Sequence, residues 1–240
     1  MIGNNLILGY LHSSRVLGWQ LLRFLCDKDW RIDVRRCLMA ADEIITRALF
    51  GVAVSSSFPL RFQDLSNIQE VPNHQEIFVD PSRDESIIIE LLDFKHDVED
   101  HGSAVWFLRD LASEQDAEQS MLLEQSGIVE AVGLRYRDVP SVVSTAVGQM
   151  AVSKGRQGRE AQNIVRVYLA NLRLKGASTD VLITAYEPVF INPLSTSARS
   201  VGAGPAVPAA DSGCLPMAEV FKHAVTSFTV HDWSLFGAVS

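Results

Sequence analysis

Residues 164–188 read IVRVYLANLRLKGASTDVLITAYEP, and two strands joined by a short turn can be traced in them. Val165, Val167 and Leu169 alternate with Arg166, Tyr168 and Ala170, the period of two that puts successive side chains on opposite faces of a strand. That alternation predicts a strand over residues 165–174 with one wet face. KGAST supplies the turn, and DVLITAYEP a second apolar run over 181–186, so together they predict an antiparallel hairpin.

Similar signals recur on either side. LFGVAVSSSFP, residues 49–59, reads as a strand or the opening of a hairpin, with Gly51 at the turn and Pro59 closing it. Residues 75–79 form a short predicted strand ended by Asp80–Pro81. Residues 86–94 are continuous and β-branched, the mark of a buried strand, although a helix also suits that length. Residues 150–152 look like a further strand. Val105, Leu108, Leu111 and Ala112 fall at helical spacing and predict a helix over 104–118. Ala218, Phe221, Ala224 and Val225 share a face of a second helix, over 217–227. Between the hairpin and that helix, PLSTSARSVGAGPAVPAADSGCLP (193–216) is small, polar and rich in Gly and Pro, which predicts a mobile loop that packs no core. These elements describe a mixed α/β domain over residues 49–240, preceded by an extension over residues 1–48.

The chain has 240 residues, 47% apolar and 21% charged, a composition suited to one globular domain with appendages. Its three cysteines, Cys26, Cys37 and Cys214, lie in no CxxC or Cys/His cluster, which points to a reducing compartment and away from structural zinc. No apolar run reaches the ~18 residues that a membrane-spanning helix needs. The net charge of −8 is unevenly spread: residues 1–38 carry six Arg or Lys and three Asp, residues 39–240 carry 15 basic and 26 acidic side chains. From Asp64 to Asp100 alone, 11 carboxylates face two basic residues, Arg83 and Lys95. Such a surface repels nucleic acid and suits a protein partner with a basic face.

Residues 1–38 leave three readings open. LILGYLHSSRVLGWQLLRFL could be a transit-like or interfacial amphipathic helix, or an ordered extra helix of the domain. Alternatively the working protein begins at Met39, which the charge reversal at that point favours.

Catalytic constellations are not apparent. The six histidines form no HxH or HExxH arrangement, so no metal centre is expected. His231 and Asp232 are adjacent and point in different directions, and no serine or cysteine lies in a GxSxG elbow. Gly155 and Gly158 lack the Lys-Ser/Thr ending of a phosphate loop. The pair Asp84–Glu85 reads as a solvated loop before a strand rather than as acid/base equipment.

The order of motifs is more informative. LFG-x-A, then DLSNIQEVPNHQEIF, then DESIIIELL and a closing FTVHDWSLFG closely resemble the Ran guanine nucleotide release factor family. The resemblance is strong over residues 49–95, collinear but patchy over 146–190, and clear again over 217–237. It implies an α+β fold, an antiparallel β-sheet sandwiched between helices, like that of the extrinsic proteins of photosystem II. It also implies a protein of nucleus and cytoplasm that binds the small GTPase Ran and promotes loss of its nucleotide, acting as a monomer without cofactor, metal or membrane insertion.

Site residues follow from the same resemblance. The Glu of the family's VPD-x-QE motif, linked to Ran binding, falls on Glu76, and the Asp position holds Asn73. Vertebrate relatives also bring a voltage-gated sodium channel to the cell surface, and the acidic positions tied to that role match Asp64, Glu76, Asp84 and Asp93. With Glu70 these make up the expected partner-binding set. Val52 departs from the family, which has the second Gly of LFGGA there; if that Gly serves a positive φ, Val52 is strained.

Overall fold

The computed structural model describes residues 42–129, 134–136, 138–153 and 157–237. The readings of residues 1–41 lie outside these, as does Gly155. The chain folds as α+β with mainly antiparallel sheet. Strand β1 (Ile44–Leu49) and β2 (Val54–Pro59) form a hairpin. There follow β3 (Gln63–Asp64), β4 (Gln75–Asp80), β5 (Glu85–Asp93) and helix α1 (Ser103–Glu114). Next come β6 (Leu122–Val129), the short pair β7 (Arg135–Tyr136) and β8 (Val139–Pro140), and the long strands β9 (Val142–Val152), β10 (Asn163–Leu174) and β11 (Thr179–Ile191). β12 (Gly204–Pro205), α2 (Met217–Thr226) and β13 (Thr229–Val230) complete the order.

The large sheet runs β3-β4-β5-β11-β10-β9-β6, with β12 attached to β11; a second sheet is β1-β2-β13. The predicted β10–β11 hairpin lies at the middle of the large sheet, from Leu174 opposite Thr179 outward, and Ser178 turns it with a φ of 49°. One core sits under α1, where Phe107, Leu108 and Leu111 meet Ile77, Ile88, Val165, Val167 and Leu169. The other lies under α2 and the small sheet, where Phe58, Val220, Phe221 and Ala224 meet Phe78, Ile87, Ile89, Ala170 and Leu172. The alternation along β5 and β10 thus serves two cores.

This corrects the expectation of one wet face on β10. From Tyr168 to Leu174 every residue is buried, and only Ile164 and Arg166 look outward. The cover comes from α2 and the β1–β2 hairpin, far away in sequence, which the local alternation cannot reveal. β9 is also longer than expected, and β6 was not anticipated at all. β6 is an edge strand with mostly exposed side chains, so it lacks an apolar run. β9 is interrupted by polar or small residues with specific tasks. Ser144 Oγ accepts from the Ala104 amide at 3.0 Å, satisfying the start of α1. At Gly148 a Cβ would come within 2.8 Å of the Leu122 carbonyl oxygen, so the close approach of β6 excludes any side chain.

Boundaries shift for similar reasons. The folded domain includes β1 and Asp42, so it begins ahead of residue 49. Helix α1 stops at Glu114, and Ala218 lies on the exposed side of α2, where Val220 takes the inward position. The segment 193–216 packs more closely than its composition suggested: Asn163 Nδ2 donates to Ser195 Oγ at 3.0 Å and to Ser197 Oγ at 3.3 Å, and Arg83 Nη2 donates to the Val207 carbonyl at 2.9 Å.

Several carboxylates of the acidic stretch are structural. Arg61 is buried and pairs with Asp42 at 2.5 Å, Asp80 at 3.1 Å and Glu85 at 3.1 Å; Arg83 meets Glu85 at 2.8 Å. Glu85 is only 1% exposed, so it is no part of a solvated loop. Burial pushes its carboxyl above the usual range, against the pull of Arg83 and Arg61. At the other end of the sheet Arg173, also buried, pairs with Asp180 at 3.1 Å and Asp100 at 3.2 Å, and lies 4.0 Å from the Phe94 ring centre. Removing one partner of such a cluster strands the rest. Arg61→Met should therefore destabilise the protein by about 3–5 kcal/mol in urea titrations; a loss under about 1 kcal/mol would mean that the carboxylates find water.

Candidate functional site

The turn between β1 and β2 has an unusual backbone. Phe50, Gly51 and Val52 have consecutive φ angles of 48°, 65° and 73°. Glycine accepts this region freely, but for Phe and Val it is disfavoured. Val52, moreover, is 69% exposed, so no packing of its own holds it there.

The turn is fastened from both sides. Glu76 sits in β4 on the same face as Phe78, toward the hairpin, and its Oε1 accepts from the Phe50 amide at 2.6 Å. On the far side, the Ala53 carbonyl accepts from the amides of His231, at 2.8 Å, and Asp232, at 3.0 Å. Ser55 Oγ and His231 Nε2 lie 2.8 Å apart, and Asp232 in turn accepts from the Ser234 amide at 2.9 Å, which starts the turn carrying Trp233 and Phe236 onto the core. Three motifs far apart in sequence, LFG, NHQEIF and VHDWSLF, therefore meet at this one turn.

Beside it, Asp64 pairs with Phe78 across β3 and β4, and accepts from the Ser66 amide at 2.8 Å. Arg47 packs its guanidinium 5.5 Å from the Phe58 ring centre and 5.6 Å from that of Phe78, and donates to the Phe62 carbonyl at 2.7 Å. Burial lowers the Arg47 pKa, and the charge of Asp64 works against that. Glu76 is half-buried. Burial raises its carboxyl above the ordinary value and the Asp64 charge adds to this, while the Phe50 N–H works the other way.

The expected partner-binding residues divide accordingly. Asp64 and Glu76 share the sheet face that looks toward the turn. Glu70 and Asn73 are exposed in the loop that leads into β4. Asp93 is exposed where β5 ends, opposite Thr179. Asp84, with a φ of 58°, lies just before the other end of β5, and the length of that strand separates it from Asp93 by about 25 Å. One contiguous patch of all six is not formed. Arg47, Ala53 and His231 complete the site and were not foreseen, because their bonds link residues distant in sequence.

A groove of about 540 Å³ lies elsewhere, between α2 and strands β6, β9 and β10. Its polar edge is already matched: Arg166 makes two bonds to Glu124, at 2.8 and 3.1 Å. Among the described residues no three His, Cys, Asp or Glu side chains group as metal ligands, and no helix is long and apolar enough to cross a membrane.

Two predictions follow from the turn. Val52→Gly should stabilise the protein by about 1 kcal/mol, because it relieves positive-φ strain at a site without packing; destabilisation on thermal melting would contradict the strain. The second concerns pH. A raised carboxyl pKa means that the folded protein holds the proton better than the unfolded chain does. The contribution of Glu76 is therefore fully present below the unfolded value and is lost as pH rises through the folded one. Glu76→Gln cannot ionise, so its stability relative to the parent should rise between about pH 4 and pH 7; a difference independent of pH would contradict the shift.

A family model described as Ran-interacting Mog1 protein matches residues 47–188. The chain is 37% identical over 156 residues to the Ran guanine nucleotide release factor of Danio rerio, covering 64% of this chain and 84% of that protein. It is 30% identical over 191 residues to the Ran guanine nucleotide release factor of Homo sapiens, covering 79% and 95%. The crystal structure of the Saccharomyces cerevisiae Ran-binding protein Mog1p shares the fold, with a TM-score of 0.58 at 22% identity, over 82% of this chain and all of that one. The matched span contains the β1–β2 turn, β4, β5 and the central hairpin, and the chain belongs to the Ran-interacting Mog1 family.

Proposed function

We propose that this protein binds Ran through the face around the β1–β2 turn and promotes release of its guanine nucleotide, in the service of transport between nucleus and cytoplasm. The names of its relatives support the partner: Ran guanine nucleotide release factor in animals, and nuclear import protein in Schizosaccharomyces pombe. The observation that carries the reading is the convergence of the family's three motifs on one turn flanked by Asp64 and Glu76.

No bond need be made or broken. A switch GTPase holds its nucleotide through cationic and Mg²⁺ contacts to the phosphates. A partner that offers carboxylates to the same basic groups, and that binds the empty GTPase more tightly than the loaded one, shifts the balance toward release. The effect is reciprocal, since nucleotide must weaken the partner as much as the partner weakens nucleotide.

The test is binding of Ran by calorimetry. Affinity should fall as guanine nucleotide is added. Glu76→Ala should weaken binding at least about tenfold, a loss of about 1.4 kcal/mol. Asn73→Asp should tighten it at low salt and lose that gain as salt rises, because charge on an exposed residue is screened over about 8–10 Å. Parent-like binding by Glu76→Ala would refute the site. Binding to a channel's cytoplasmic segment without binding to Ran would favour the trafficking adaptor instead.

A further inference from the structure

Resting on the Ran-binding reading, we infer that Glu76 is a positioning residue: its carboxylate serves recognition by holding the Phe50–Gly51–Val52 turn in shape, and the turn so held meets the partner.

The geometry separates the two roles a carboxylate could play here. A direct contact alone would not require either carboxylate oxygen to bond within the protein. Instead the side chain is half-buried against the hairpin, and Oε1 is engaged by the Phe50 amide at 2.6 Å. The bond falls on the first of three residues with positive φ, where an unanchored Phe and Val would relax to ordinary backbone. The His231 and Asp232 amides grip the Ala53 carbonyl on the other side, so Glu76 supplies the second of two clamps. Between the clamps, Phe50 packs inward on the core while Val52 stands exposed. Asp64, on the sheet face beside the turn, is then the group placed to meet a basic face.

The two roles make opposite predictions for Glu76→Gln. Glutamine keeps an oxygen that can accept from the Phe50 amide but carries no charge. If Glu76 positions the turn, Glu76→Gln should bind Ran within about threefold of the parent. Glu76→Ala should lose at least about tenfold, and equally at low and high salt, since no exposed ion pair is lost. Hydrogen exchange at the Phe50 amide supplies a readout independent of Ran: protection should persist in Glu76→Gln and drop at least about tenfold in Glu76→Ala, with the protection of β10 amides unchanged. Equal loss of binding in both variants, shrinking with salt, would overturn the inference and leave Glu76 a direct contact. Unchanged Phe50 exchange in Glu76→Ala would overturn it whatever Ran does. Failure of the parent itself to bind Ran would instead defeat the functional reading.

Discussion

Because β10 and β11 are covered on both faces, each strand beside them must supply two cores at once. β5 does this with Ile87 and Ile89 on one face and Ile88 on the other, which gives the unbroken apolar run in its sequence. The helices are then obliged to sit on opposite sides, α1 over one face and α2 with the small sheet over the other. Polar groups caught between these layers have to be paired internally, and Arg61 and Arg173 do this at opposite ends of the sheet. The high local count of Asp and Glu is thus partly a consequence of the architecture. Asp80, Glu85 and Asp180 answer buried arginines rather than a partner.

The same layering creates the site. β4 continues the sheet away from its doubly buried centre, so its second residue, Glu76, is only half-covered by the β1–β2 hairpin. There a carboxylate can reach a backbone amide of the hairpin turn without full burial, and a turn of otherwise unfavourable backbone becomes a defined shape. The C-terminal strand β13 closes the other side of the turn after α2 has crossed the core. The shape of the candidate site therefore rests on a few hydrogen bonds among three distant segments.

How much of this could be read from the sequence depended on the range of each interaction. The β10–β11 hairpin, β4, β5 and both helices were legible because their signals are local: alternation, β-branching and helical spacing. β6 was hidden because an edge strand has no apolar run, and most of β9 because Ser144 and Gly148 answer α1 and β6 rather than a strand pattern. The outer face of β10 was misread because its cover comes from β2 and α2. At the site, Val52 stood out as a departure from the family's LFGGA pattern, and its φ of 73° agrees with the strain expected there. The bonds that Glu85 and Glu76 make within the protein were not legible. A carboxylate's charge is visible in a sequence, but whether it faces Arg61, the Phe50 amide or a partner is decided by the fold.

On the Ran-binding proposal, the carboxylates and the turn act by favouring one state of a GTPase, without catalytic chemistry. The most direct test is the rate at which purified Ran loses a fluorescent guanine nucleotide, measured with and without this protein in the presence of excess unlabelled nucleotide. Loss should accelerate with increasing protein and saturate at the concentration where binding saturates. A rate that stays at the intrinsic value while the two proteins form a complex would contradict the proposal.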